Sequence, residues 1–359
     1  MKRCACFLLL LLSLTVSARA VRLPAELRTA LPRQANELLG ETDGTDAGSL
    51  GEKVLQLFHK VGAGGRAVLR QRLKGAISIL LIVLLCGLLD GFRQSTGTPE
   101  MIDLTPVAGA LSVTLLSAGS LDSLMGLGAE TMEQLGSFSK VLLPALAAAA
   151  AAGGAVGTAG VQQVTTVFFA DLLLSLINGL LMPMVYLYIG TLTAGAMLPD
   201  NRLTVLADGI KKTITWILSA SLIAFTIYLS VVHVIAGSAD TAAVKVAKAA
   251  ISGAVPVVGS ILAEASETVL AGAGLLKNTI GIFGTLAVLA ICAYPFLQLG
   301  IQYILYKFTA FLAGTVGAPN LCRLIDGLGG AFGLVLGMTG ACALLLLISI
   351  LSSVAAVVP

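Results

Sequence analysis

Charge is what this sequence has least of. Asp, Glu, Lys and Arg make up 11% of its 359 residues, where soluble chains carry about a quarter. The scarcity is uneven. Residues 1–75 hold 12 Lys/Arg and 6 Asp/Glu, whereas the 284 that follow hold 10 and 13. That second part has too few charges to cover a surface facing water, which excludes a chain of two or three soluble domains. With 57% hydrophobic residues and a mean hydropathy of +0.96, the sequence predicts an all-α, polytopic helical membrane protein with a short polar N-terminal region.

Metal-binding and catalytic groups are equally scarce. The two histidines, His59 and His233, are far apart and have no companions at metal-ligand spacing. Beyond the first twenty residues the cysteines are Cys86, Cys292, Cys322 and Cys342, with no C-x-x-C pair, so they read as small buried residues. No G-x-x-x-x-G-K-[ST] phosphate loop, H-E-x-x-H helix or G-x-S-G run occurs. An intramembrane aspartyl protease needs paired carboxylates at depth, and Asp171 is the only acid well inside an apolar run. The expectation is no catalysis, no cofactor and no metal. A net charge of +3 is too small to imply a nucleic-acid partner. The one basic cluster, Lys60, Arg66, Arg70, Arg72 and Lys74, reads as a contact with lipid phosphates.

The chain opens with a basic Lys2-Arg3, an apolar run from Cys4 to Val16 and a small-x-small Ala18-Arg19-Ala20. This is the layout of a signal peptide over residues 1–20, with an uncleaved signal anchor as the alternative. Residues 21–74 then read as a polar exported region. Leu50, Val54, Leu57, Phe58 and Val61 form an amphipathic helical stripe there, expected to end at Gly62, Gly64 and Gly65. About 20 apolar residues cross a hydrocarbon core. Seven spans are therefore predicted in a domain over 75–359, near 75–92, 104–125, 139–160, 164–197, 213–236, 278–306 and 328–358, with Asn178, Gly179 and Pro183 as a break in the fourth.

Seven spans in alternation place ten Lys/Arg of 60–74, 198–212 and 307–327 on one side. Positive-inside bias makes that side cytoplasmic, whereas the signal peptide exports residues 21–74. The two readings conflict.

Residues 249–263 are apolar but interrupted by Gly253, Pro256 and Gly259. They read as a broken or re-entrant segment, or as a kinked interfacial helix. Three further features carry paired readings. Asp171 is either a pore-lining carboxylate or an interfacial one. Glu264 and Glu267, with Lys277 and Asn278 opening the next span, form either a polar ring beside a cavity or ordinary boundary charges. Gly329, Gly333 and Gly337 form a small-residue ridge for close helix packing, within one subunit or in a homo-oligomer, and Gly153 and Gly157 repeat its spacing.

Residues 253–284 resemble the stage III sporulation protein AE family of endospore-forming Firmicutes. The resemblance rests on Pro256-Val257-Val258-Gly259, Glu267-Thr268-Val269, Leu275-Leu276-Lys277-Asn278 and Gly281, and extends more loosely over most of the chain. It implies a multi-pass protein of the mother-cell membrane around the forespore. It further implies a noncatalytic component, or the conduit itself, of a channel or secretion-like complex joining the two cells, with other membrane proteins and a separate ATPase as partners. No catalytic residue carries over; Pro256, Gly259, Glu267, Lys277 and Asn278 are the matched positions. Two other functions compete, a self-sufficient secondary transporter with paired broken helices and a structural assembly scaffold.

Overall fold

The computed structural model describes residues 25–39, 50–96, 104–198, 202–254, 259–316 and 319–355. Among them the regular elements are all helical. Two short helices, α1 (Ala25–Thr29) and α2 (Arg33–Leu39), come first. The long ones are α3 (Leu50–Thr96), α4 (Thr105–Ala152), α5 (Val156–Leu176), α6 (Met182–Met197), α7 (Arg202–Ala254), α8 (Gly259–Thr315) and α9 (Pro319–Ala355). The predicted signal peptide, the acidic tract 41–48 and Pro256 lie outside the described residues.

The all-α membrane fold stands, with a different count. Among the described residues six helical units are long and apolar enough to cross a membrane: α3, α4, α5 with α6, α7, α8 and α9. The predicted span 104–125 and residues 139–152 of the next one lie on one helix, α4, with no reversal between them, and the turn comes at 153–155, inside the predicted third span. The polar stretch that reads as a loop is helical because its apolar residues keep helical spacing: Leu124, Gly128, Met132, Leu135, Phe138 and Leu142 are all buried, while Glu130 and Glu133 point outward. At 48 residues, α4 is about 72 Å long, well beyond a ~30 Å hydrocarbon core.

If the six units among the described residues each cross once, the ten basic residues divide. Five lie on the first half of α3, and Arg202, Lys211, Lys212, Lys307 and Arg323 lie towards the α6–α7 and α8–α9 turns. The conflict between charge bias and export signal rested on seven crossings, and on this count the charge bias no longer favours either side.

Three other local expectations change. Gly62, Gly64 and Gly65 do not end the N-terminal amphipathic helix, which runs on as α3 into the first span; Gly65 instead packs against Leu297. The break expected around Asn178, Gly179 and Pro183 is a five-residue π-helix, Ile177–Leu181, that keeps α5 and α6 continuous. A π-turn shifts the hydrogen-bond register, which accommodates the missing N–H of Pro183. Gly153 and Gly157 form no ridge, since Gly153 caps α4 and Gly154, at φ 91°, makes the turn into α5. Only glycine takes that backbone conformation freely.

Helix α9 is the central element, packed against α4, α5, α6, α7 and α8. In the most apolar stretches of α8 and α9, 61% of residues are buried, against 22% in α3 and 17% in α7. The outer faces of α3 and α7 nevertheless stay apolar, with Ile77, Leu81, Leu85, Leu88, Trp216, Ile223, Ile227 and Val231 all exposed. A continuous apolar periphery of this kind suits lipid and not water. Near the N-terminus, Leu27, Leu31 and Ala35 of the α1–α2 segment are buried. Lys60 donates to the Leu38 carbonyl at 3.2 Å, tying α2 to α3.

Candidate functional site: a polar stripe in an apolar bundle

A polar stripe runs along α8. Tyr294, Gln298, Gln302 and Tyr306 are spaced by four, which puts them on one helix face about 6 Å apart. Burial deepens along the stripe: Tyr294 is 37% exposed, Gln298 half-buried, Gln302 4% exposed and Tyr306 3% exposed. Arg72 of α3 donates to Gln298 Oε1 at 3.3 Å. The Tyr306 hydroxyl donates to Ser117 Oγ of α4 at 2.9 Å, and Ser117 passes its own proton to the Val113 carbonyl at 2.7 Å. Gln302 stands one turn before Tyr306 on the same face. One group is left over: Gln302 Oε1 is buried with no protein partner. An unpaired buried carbonyl costs about 1–3 kcal/mol, so the site demands a donor.

At the exposed end of the stripe lies a cavity of about 230 Å³ between α2, α4 and α8. Arg33, Gln34, Glu130, Gln134 and Tyr294 bring polar groups to its wall, beside apolar Leu127 and Ile291. Gln134 Nε2 donates to Glu130 Oε1 at 3.1 Å. Pro295 also lines it and, lacking an N–H, cannot bond the Ile291 carbonyl one turn back.

The residues singled out in the sequence are scattered. Asp171 lies on the outer surface of α5, 3.4 Å from Lys140, both more than half exposed; Asn178 is exposed as well. Lys277 is buried at 7% exposure, and Asn278 is exposed. Gly259 is the first residue of α8, which places Glu264 and Glu267 on its first turns; their side chains lie outside what is described. The α9 glycines serve packing within the chain. Gly329 faces the Tyr303–Lys307 backbone of α8, a Cβ at Gly333 would sit 3.1 Å from the Tyr303 ring, and Gly337 faces Leu218 of α7. Among the described residues no three His, Cys, Asp or Glu side chains converge as metal ligands.

Two features escape the sequence reading. The stripe's Y-x-x-x-Q-x-x-x-Q-x-x-x-Y period is legible in the sixth predicted span, but its members are uncharged. The second is Asp240, 8% exposed near the end of α7. Its carboxylate accepts the N–H of Gly157 at 2.9 Å and of Thr158 at 2.8 Å, capping the first turn of α5. Burial alone would raise the Asp240 pKa. The Thr158 side chain and N–H and the Gly157 N–H outweigh it and hold the carboxyl below its ordinary value. The Thr158 hydroxyl stands without full hydrogen-bond geometry, so the two backbone donors and the positive end of the helix dipole account for the shift. The partners are 83 and 82 residues apart in sequence, beyond the reach of any local pattern.

No solved structure matches the chain. "Stage III sporulation protein AE" of Bacillus subtilis (strain 168) is 26% identical over 275 residues, a match covering 75% of this chain and 66% of that protein. The chain therefore spans just under two thirds of that relative's length. A family model for stage III sporulation protein AE matches residues 42–357, which takes in every long helix from α3 onward. On that match over most of its length, this six-helix apolar bundle belongs to the stage III sporulation protein AE family.

Proposed function

We propose that the protein is a noncatalytic integral-membrane component of the sporulation channel or secretion-like complex that joins mother cell and forespore, and that it resides in the mother-cell membrane around the forespore. Membership of the family over residues 42–357 is the observation that carries this reading. The polar stripe on α8 supports a part in forming the conduit, since buried polar groups in a bilayer are costly and mark paths. A separate ATPase subunit would supply any energy required.

The transporter alternative leaned on two broken helices in corresponding halves. It loses one of them, because α5 and α6 are continuous through the π-turn. The scaffold alternative is separated by charge. In the spore-forming host, Lys277→Gln and Glu267→Gln should block spore formation after engulfment while vegetative growth continues and the protein remains in the membrane. Normal spore yield from both stably expressed variants would favour the scaffold. Normal spore yield after deletion of the gene would overturn the sporulation role altogether.

A further inference from the structure

The unpaired Gln302 oxygen points to a ligand. We propose that the α8 stripe is wet: an ordered water donates to Gln302 Oε1, and the stripe and the cavity at its exposed end form one aqueous inlet leading into the bundle. The assignment rests on side-chain geometry alone and stands apart from the sporulation role.

Three observations carry it. Gln302 Oε1 is buried and lacks a protein donor, whereas Gln298 Oε1 and the Tyr306 hydroxyl beside it are engaged. A buried water persists only where it finds two to four polar partners. The roughly 6 Å between successive stripe residues admits a bridging water between the Gln302 carbonyl oxygen and the Gln298 amide. The exposure gradient from Tyr294 to Tyr306 gives that water a route, beginning at a cavity large enough for several molecules. Arg72 stands over Gln298 on this route. Its fixed positive charge disfavours cations in a low-dielectric path, which makes water and small neutral polar solutes the chemical class the inlet admits.

The adjacent Tyr306 and Phe332 rings supply an internal comparison. Their centroids are 5.2 Å apart, and they are 3% and 0% exposed. Radiolytic hydroxyl-radical footprinting of the intact protein in lipid nanodiscs labels buried residues only where water is bound beside them. Tyr306 is expected to oxidise several-fold faster than Phe332. After rapid mixing into ¹⁸O-water, the heavy isotope should appear on Tyr306 as fast as on exposed Tyr294. Gln302→Leu should bring Tyr306 oxidation down to the level of Phe332 while leaving Tyr294 unchanged. Equal, slow oxidation of Tyr306 and Phe332 in the wild-type protein would overturn the bound water. Fast oxidation with slow isotope entry would overturn the inlet, leaving a trapped water.

Discussion

Gly128→Leu is expected to destabilise the bundle by about 3 kcal/mol, the upper part of the range for overpacked cores, and to lower its level in the membrane. Gly128 is buried on α4 where α9 crosses, and even a Cβ there would overlap the Val335 side chain. Val335 is itself fully buried, so it has nowhere to retreat. The contact joins α4 to the central helix, and helices in lipid depend on such close packing in place of hydrophobic collapse. Gly126 is the control two residues away: it is exposed, and a Cβ there would meet nothing within 4 Å. Gly126→Leu should be neutral or slightly stabilising, since leucine favours a helix over glycine by up to about 1 kcal/mol. Thermal unfolding in detergent compares the two, and equal midpoints would show that α4 and α9 do not meet at this register.

The Asp240 cap predicts the next largest effect. Asp240→Ala leaves the Gly157 and Thr158 N–H groups without their acceptor in a buried setting and should cost about 2 kcal/mol. Asp240→Asn keeps one acceptor oxygen but loses the charge, so about half that loss is expected. The pH dependence follows from the sign of the shift. The folded carboxyl has a lowered pKa, so its contribution is full above the unfolded value of about 3.9 and fades as pH falls through the folded value. Wild-type and Asp240→Asn midpoints should differ at neutral pH and converge below about pH 4. A difference unchanged from neutral to strongly acidic pH would mean that the carboxylate's charge plays no part in holding α5 to α7.

How much of this was legible depends on the kind of signal. The scarcity of charge after residue 75 announced a helical membrane protein, and the matched motif around Lys277 announced the family. The number of crossings was hidden by residues 126–138, whose glycines and acids read as a loop on hydropathy. The same residues read as helix once Leu124, Met132, Leu135 and Phe138 are counted at helical spacing. Charge also drew attention to Asp171, which the fold pairs with Lys140 on the outside. The uncharged Gln302 and Tyr306 are buried instead, conspicuous only once α8 is known to be packed by its neighbours. Asp240 depended on the α4–α5 turn at Gly154 bringing a helix start beneath α7, a tertiary fact with no local trace.

Six crossings in place of seven is the claim on which the membrane arrangement rests, and thiol labelling of intact cells tests it directly. Thr45→Cys and Asp200→Cys, each alone in a cysteine-free background, report on the segment before α3 and on the α6–α7 turn. Three helical units separate the two positions, so they should label from opposite sides of the membrane, one by an impermeant reagent and the other only after permeabilisation. Labelling of both positions from the same side would restore a reversal within α4 and contradict the fold.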